Sequence, residues 1–407
     1  MNSSIYALSC SPNLAASLVS VGCQVHTVSD LSEVPDKAPV LITETDPSVL
    51  YPLQHWHSQS PETLVLVILP LLPFGQAVLA GRQHLGLQLL PPDTDAQDLV
   101  ELIELHNEPL AHAQWRHHVA RYPYLAGNSL ALNRALHQAA AQALSLEDVL
   151  ITGSPGSGRS QLARLIHDLS PLRGYPFLEL DCTGFFAQGG DESQFYALLG
   201  ATLPGPTVNW SGTIHLNRMD GVETSLRQSL MPSLMNRWQN ALGRRVGSAR
   251  MLISLQPQSL QRVPDGALKR RAISMPPLSE RRDDILALLA RFQNQTGLRL
   301  AFSVHAYLAL QQHRWQGNCQ ELWNVLRGLT REFTGQPSVV EPWQLPFSKE
   351  DWEHIFTQFY RLQIMDWNDI AALHARVLMH VYAQGGEAAA RAAGLSAWQF
   401  SAIIKES

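Results

Sequence analysis

Cysteine is scarce, with four thiols (Cys10, Cys23, Cys182, Cys319) in 407 residues. None stands at metal-ligand spacing, so neither a zinc module nor a disulfide framework is indicated. An excess of positive charge is also missing. Lys and Arg total 30 against 35 Asp and Glu, for a net charge of −5, so any nucleic-acid contact must come from a local patch. Long apolar runs are absent too. The most apolar stretch, Leu64 to Leu72, is far too short to span a bilayer, and no basic segment followed by an apolar one opens the chain. A soluble, cytoplasmic protein without membrane contact is expected. Sixteen histidines make no metal case, because His112, His117 and His118, or His55 and His57 around Trp56, lack the i, i+4 pair plus acid that zinc uses.

What is present is alternation. Ile5 to Leu8, Gln24 to Val28, Val40 to Thr43, Leu64 to Leu69 and Leu87 to Leu90 read as strands. Leu14 to Val21 and Ala96 to Leu105 read as helices. Strands alternating with helices at this spacing predict an α/β fold with a parallel, doubly wound sheet. Residues 107–122 read as a linker helix. Residues 125–280 repeat the α/β alternation, 283–334 read as all-helical, and a Pro-containing stretch, Gln336 to Pro346, marks a boundary. Residues 349–407 are helical and end in an Ala-rich helix pair.

The most informative segment runs from Val149 to Ser160 (VLITGSPGSGRS). An apolar strand enters a Gly-rich turn and a helix follows. Gly153, Gly156 and Gly158 let backbone N–H groups close around phosphate oxygens at a helix N-terminus. Ser157, Arg159 and Ser160 complete the candidate cradle. Arg159 stands where such loops carry lysine, and its planar fork is not a neutral exchange there.

Several stretches in order resemble the AAA+ domain of the sigma-54-dependent activators, the bacterial enhancer-binding proteins. They are Leu125–Ser129, Pro176–Cys182, Gly212–Leu216, Leu278–Ile285 and Trp315–Leu322. The resemblance implies a core over 123–282 and a helical lid over 283–346. It also exposes departures. Hydrolysis needs one carboxylate to hold Mg²⁺ and another to position water. The family places both directly after the strand at Gly212–Leu216, where this chain has Asn217 and Arg218. Asp220, two residues on, is not expected to substitute. Gln256 stands at the polar sensor, Gln320 replaces the lid arginine, and the arginine-finger region shrinks to Leu268–Arg271. The Gly-Ala-Phe-Thr-Gly-Ala loop that engages the polymerase is missing from Ser193–Pro206. The implied reading is a core that is not an enzyme. ATP or ADP would be held without cleavage, or cyclic di-GMP gripped by Arg121 and Arg159. The basic clusters Lys269–Arg271 and Arg281–Arg282 are candidates for an anion site or a subunit interface.

Residues 1–106 resemble a response-regulator receiver. The resemblance places Ser9 and Cys10 at its acidic pair, Thr43 at its phosphoacceptor and Pro91 at its lysine, so a docking or dimerisation module is expected. Residues 347–407 resemble a Fis-type helix-turn-helix. Gly394 would take the turn, Ser396 would cap the second helix, and Ala397, Gln399 and Lys405 would face DNA. The expectation is a transcription regulator acting on promoter DNA or RNA polymerase, as a homodimer or larger oligomer. The alternatives are a non-catalytic partner of an active paralogue and a nucleotide or cyclic di-GMP sensor.

Overall fold

A computed structural model describes residues 4–35, 38–43, 63–68, 87–90, 94–107, 118–187, 191, 193–194, 197, 210–222, 246–261, 263, 266–297, 300–332, 339–362, 365, 367–381 and 389–390. The chain divides into two compact units. One is Glu108–Arg281 with Gln316–Glu321; the other is Met1–Asn107 with Arg282–Trp315 and Leu322–Ser407.

In the second of these, β1 (Ser4–Ser9), β2 (Gln24–Thr27), β3 (Val40–Thr43), β4 (Val65–Ile68) and β5 (Leu87–Leu90) form a parallel sheet in the order β2-β1-β3-β4-β5. This is the flavodoxin-like doubly wound order. Val40 to Ile42 and Val65 to Ile68 are buried throughout, as expected of central parallel strands covered on both faces. Helix α1 (Pro12–Ser20) starts where Ser11 accepts from the Leu14 N–H and Pro12 fixes the first turn. Helix α2 is Ala96–Asn107. Thr43 is the last residue of β3; Pro91 lies outside the described residues.

The other unit holds β6 (Val149–Gly153), β7 (Phe177–Asp181), β8 (Trp210–Asn217), β9 (Val246–Leu255) and β10 (Ile273–Met275). They form a second parallel sheet in the order β10-β6-β9-β8-β7. Successive residues of β6 serve opposite faces. Val149 and Ile151 pack with helices α3 (Leu130–Ala143) and α4 (Arg159–Asp168), through Leu132, Leu136, Leu162 and Ile166. Leu150 joins Ile214, Leu216, Ile253 and Leu255 on the other face, with Cys182 of α5 (Cys182–Ala187). Arg250 of β9 is fully buried and donates to the carbonyls of Gln142 and Glu147, at and just past the C-terminal end of α3. A cation there completes carbonyls the helix leaves open. Burial lowers its pKa to about 10.

Helices α6 (Ile285–Thr296), α7 (Val304–Gln312) and α8 (Asn318–Glu332) follow. The stretch read as all-helical also contains a two-residue strand. Ala301–Phe302 (β11) pairs in parallel with Val339–Val340 (β12), so the Pro-containing stretch contributes to the same structure instead of only bounding it. A pair this short carries no sequence period. Helices α9 (Lys349–Arg361) and α10 (Trp367–Val381) complete the described chain, with Trp352 and Phe356 stacked at 5.4 Å. Of residues 382–407, where a helix-turn-helix is expected, only the buried Ala389 and Ala390 are described. Ser396, Ala397, Gln399 and Lys405 lie outside the described residues, as do linker positions 108–117. Among the described residues no helix is long and apolar enough to cross a membrane.

Candidate phosphate-loop site

The loop between β6 and α4 has the backbone the glycines predict. Gly156 (φ 76°) and Gly158 (φ 114°) both adopt positive φ, and Gly158 caps α4. Gly153 is packed so tightly that a Cβ would sit 2.9 Å from the Met275 carbonyl oxygen. The Ser157 side chain is fully buried. Arg159 and Ser160 open α4, and the carboxyl ends of β8 and β9 bring Asn217, Asp220 and Gln256 beside them, where parallel sheets place ligands.

Here the side chains pair with one another. Arg159, 6% exposed, meets Asp220 Oδ1 at 3.2 Å. The other oxygen of Asp220 accepts from Gln256 Nε2 at 2.8 Å. Asn217 donates to Ser160 Oγ at 2.9 Å and to Glu179 Oε1 at 3.1 Å. Arg164 also donates to Glu179, at 2.9 Å. His215, then Arg164, hold the Glu179 carboxyl down, to about 2. Arg218 adopts a left-handed backbone (φ 56°) ahead of the turn Met219–Gly221 and pairs with Asp181 through two nitrogens. The positive charge that Arg218 brings to a position where the family has an acid is thus compensated by Asp181. Asp220, not expected to replace the missing acids, serves as the partner of Arg159.

Mg²⁺ with a triphosphate does not fit this donor set. Asn217 offers an amide where a carboxylate would bind the metal. Asp220, Asp181 and Glu179 are each matched to an arginine, and taking Asp220 for a cation would strand the shielded charge of Arg159.

The far side of the loop is packed by protein. Asn318, itself at φ 55°, donates to the Pro155 carbonyl at 2.8 Å and accepts from the Leu278 N–H at 2.8 Å. Tyr124 packs near Gly158 and donates to Gln320 Oε1 at 2.6 Å. Arg281, 1% exposed, donates to the carbonyls of Tyr124 and Ser157 and to Cys319 Sγ. The Arg281–Arg282 pair therefore does not act together on an outside anion: Arg281 is an internal strut, and Arg282 bonds Gln312. Arg271 pairs with Glu147. Arg121 is not brought to the loop. It is 69% exposed and meets Asp168 at 3.8 Å, at the opposite end of α4 from Arg159, a ten-residue helix roughly 14 Å long.

A polar row crosses the sheet behind the loop. His215 contacts Ser254 Oγ at 2.7 Å and Glu179 at 3.5 Å, and His167 contacts Thr213 Oγ1 at 2.8 Å. Burial pulls both imidazoles below their ordinary 6.5. The unfolded chain then takes up protons near pH 6.5 that the folded chain does not, so their contribution is present above that pH and is lost below it. The melting temperature is expected to fall between pH 7.5 and pH 5.5, with a shallower fall in His167→Gln. A wild-type profile that stays flat over this window contradicts the assignment.

A β10-β6-β9-β8-β7 parallel sheet with this loop defines a P-loop AAA+ core. Comparison with known proteins finds relatives of parts of the chain. Residues 125–205 match the Sigma-54 interaction domain and residues 279–350 match the AAA+ ATPase lid domain. The chain is a relative of the sigma-54-dependent transcription regulators. It is 29% identical over 227 residues to the nitric oxide reductase transcription regulator NorR1 of Cupriavidus necator, across 50% of this chain and 44% of that protein. It is 28% identical over 225 residues to the alginate biosynthesis regulator AlgB of Pseudomonas aeruginosa, across 50% of each. The match thus spans about half the length of these curated relatives. NtrX from Brucella abortus, solved in complex with ATP, aligns over 100% of this chain and 99% of its own with 19% identity and a TM-score of 0.43.

Proposed function

We propose that this chain is a transcription regulator of the sigma-54 activator type that does not hydrolyse ATP and works through DNA or RNA polymerase contact. One observation carries the reading: the carboxylates around the loop are matched to Arg159, Arg164 and Arg218, with Asn217 at the metal position. The missing Gly-Ala-Phe-Thr-Gly-Ala loop supports action without sigma-54 engagement, since a polymerase contact through that motif is not available to this sequence. Promoter recognition falls to residues 382–407.

Two measurements test it. ATP turnover with Mg²⁺ is expected at least about 10³-fold below that of an intact relative, the scale of losing a charge-stabilising group in phosphoryl transfer. A promoter fragment is expected to shift with the full chain and not after deletion of residues 382–407. Turnover within tenfold of an intact relative overturns the non-hydrolysing half. No shift with the full chain overturns the DNA half.

A further inference from the structure

At the phosphate loop two side-chain donors that a polyphosphate would meet are already bound to a carboxylate of the chain itself. Arg159 stands at the loop position whose cation reaches the outer phosphates, and Gln256 follows the end of the adjacent strand β9. Both are bonded to Asp220, one to each oxygen, at 3.2 and 2.8 Å. Asp220 is held in place, because Met219 before it is fully buried and Val222 after it is 3% exposed. The ion pair is shielded, with the side chains of Arg159 and Asp220 6% and 11% exposed.

We infer that Asp220 is the specificity-determining residue of this loop: an internal carboxylate that occupies the phosphate donors and excludes nucleoside triphosphates. A polyphosphate competes with Asp220 for one shielded guanidinium, and the carboxylate is tethered at high effective concentration. With Asp220, Glu179 and Asp181, among the described residues around the loop, each paired to an arginine, Mg²⁺ has no ready ligand there to offset the added negative charge. Removing the charge of Asp220 reverses the balance. Arg159 is then a shielded cation without its counterion, and an anion is the group that satisfies it. The opened loop takes a metal-free polyphosphate.

This inference rests on the loop being non-hydrolysing, but its test reads binding, so it and the regulatory reading can fail separately. The probe is inorganic tripolyphosphate, titrated calorimetrically in EDTA into the full chain. Asp220→Asn is expected to bind at least about tenfold more tightly than wild type. Arg159→Lys alone is expected to gain nothing, because Asp220 would hold the lysine equally. If the bulk of arginine were what closes the loop, Arg159→Lys would gain and Asp220→Asn would not; that outcome, or equal affinity in wild type and Asp220→Asn, overturns the inference. Should Asp220→Asn prove too unstable to titrate, Asp220→Ser is melted with and without tripolyphosphate. A rise in its melting temperature exceeding that of wild type supports the inference, and an equal or smaller rise overturns it.

Discussion

Replacing Gly156 with alanine is expected to destabilise the Glu108–Arg281 unit by about 3–5 kcal/mol, from two sources that add. The first is backbone strain. Gly156 has φ 76°, and a residue with a Cβ held there costs about 1–3 kcal/mol. The second is collision. The new Cβ falls well inside contact of the Gly317 carbonyl oxygen and 3.1 Å from Gln320 Cβ. A backbone carbonyl cannot swing away as a side chain does, so the 316–321 segment must move. Its displacement breaks the bonds from Asn318 to Pro155 and from Leu278 to Asn318, each worth about 1 kcal/mol net. In a unit of this size a loss of 1 kcal/mol lowers the melting temperature by about 2–4 °C, so a fall on the order of 10 °C is expected. Gly174 is the control, since a Cβ there meets nothing within 4 Å and its φ is not in the left-handed region. Equal melting of Gly156→Ala and wild type would refute the close packing of residues 316–321 on the loop.

The parts legible in the sequence share one property: local repetition. Val40–Thr43, Val65–Ile68 and Val149–Gly153 are apolar runs because both faces of a parallel strand are covered, and the parallel, doubly wound arrangement followed from their alternation with helices. The loop was legible because glycines at fixed spacing are the only residues that take its backbone. Asn217, Arg218 and Gln256 were legible as departures from a pattern. Their partners were not. Arg159 and Asp220 are 61 residues apart, and Arg218 and Asp181 are 37 apart; nothing local ties them. One signal was available: two cations in an acidic site require compensation, and Asp181, at the end of β7, and Asp220, in the turn after β8, were the nearby acids. Arg281 was misread for a different reason. Beside Arg282 it looks like surface charge, and only the three-dimensional neighbourhood distinguishes a buried guanidinium bonded to carbonyls from an exposed one.

That guanidinium leads to the second large effect. Arg281→Ala is expected to cost about 3–5 kcal/mol, in the range of breaking a buried charged network and leaving a cavity. Its nitrogens reach the Tyr124 carbonyl at 2.9 Å, the Ser157 carbonyl at 2.7 Å and Cys319 Sγ at 3.0 Å. These lie in three separate stretches: the segment before α3, the phosphate loop and the start of α8. Alanine takes the guanidinium donor from the buried Ser157 carbonyl, leaves the Tyr124 carbonyl only the long contact from Cys319 Sγ, and removes a side chain that joins all three. Arg281→Met keeps most of the volume and loses the donors, so it is expected to cost less than alanine. Arg281→Lys keeps charge and donors but not the fork, and one ammonium cannot span the three acceptors, so it should fall between wild type and alanine. Hydrogen exchange separates this account from a generic core defect. Protection is expected to drop first at the amides of residues 153–160, while those of β8 and β9 hold until global unfolding. A uniform loss of protection across the sheet would show that Arg281 supports the unit as a whole and not the loop in particular.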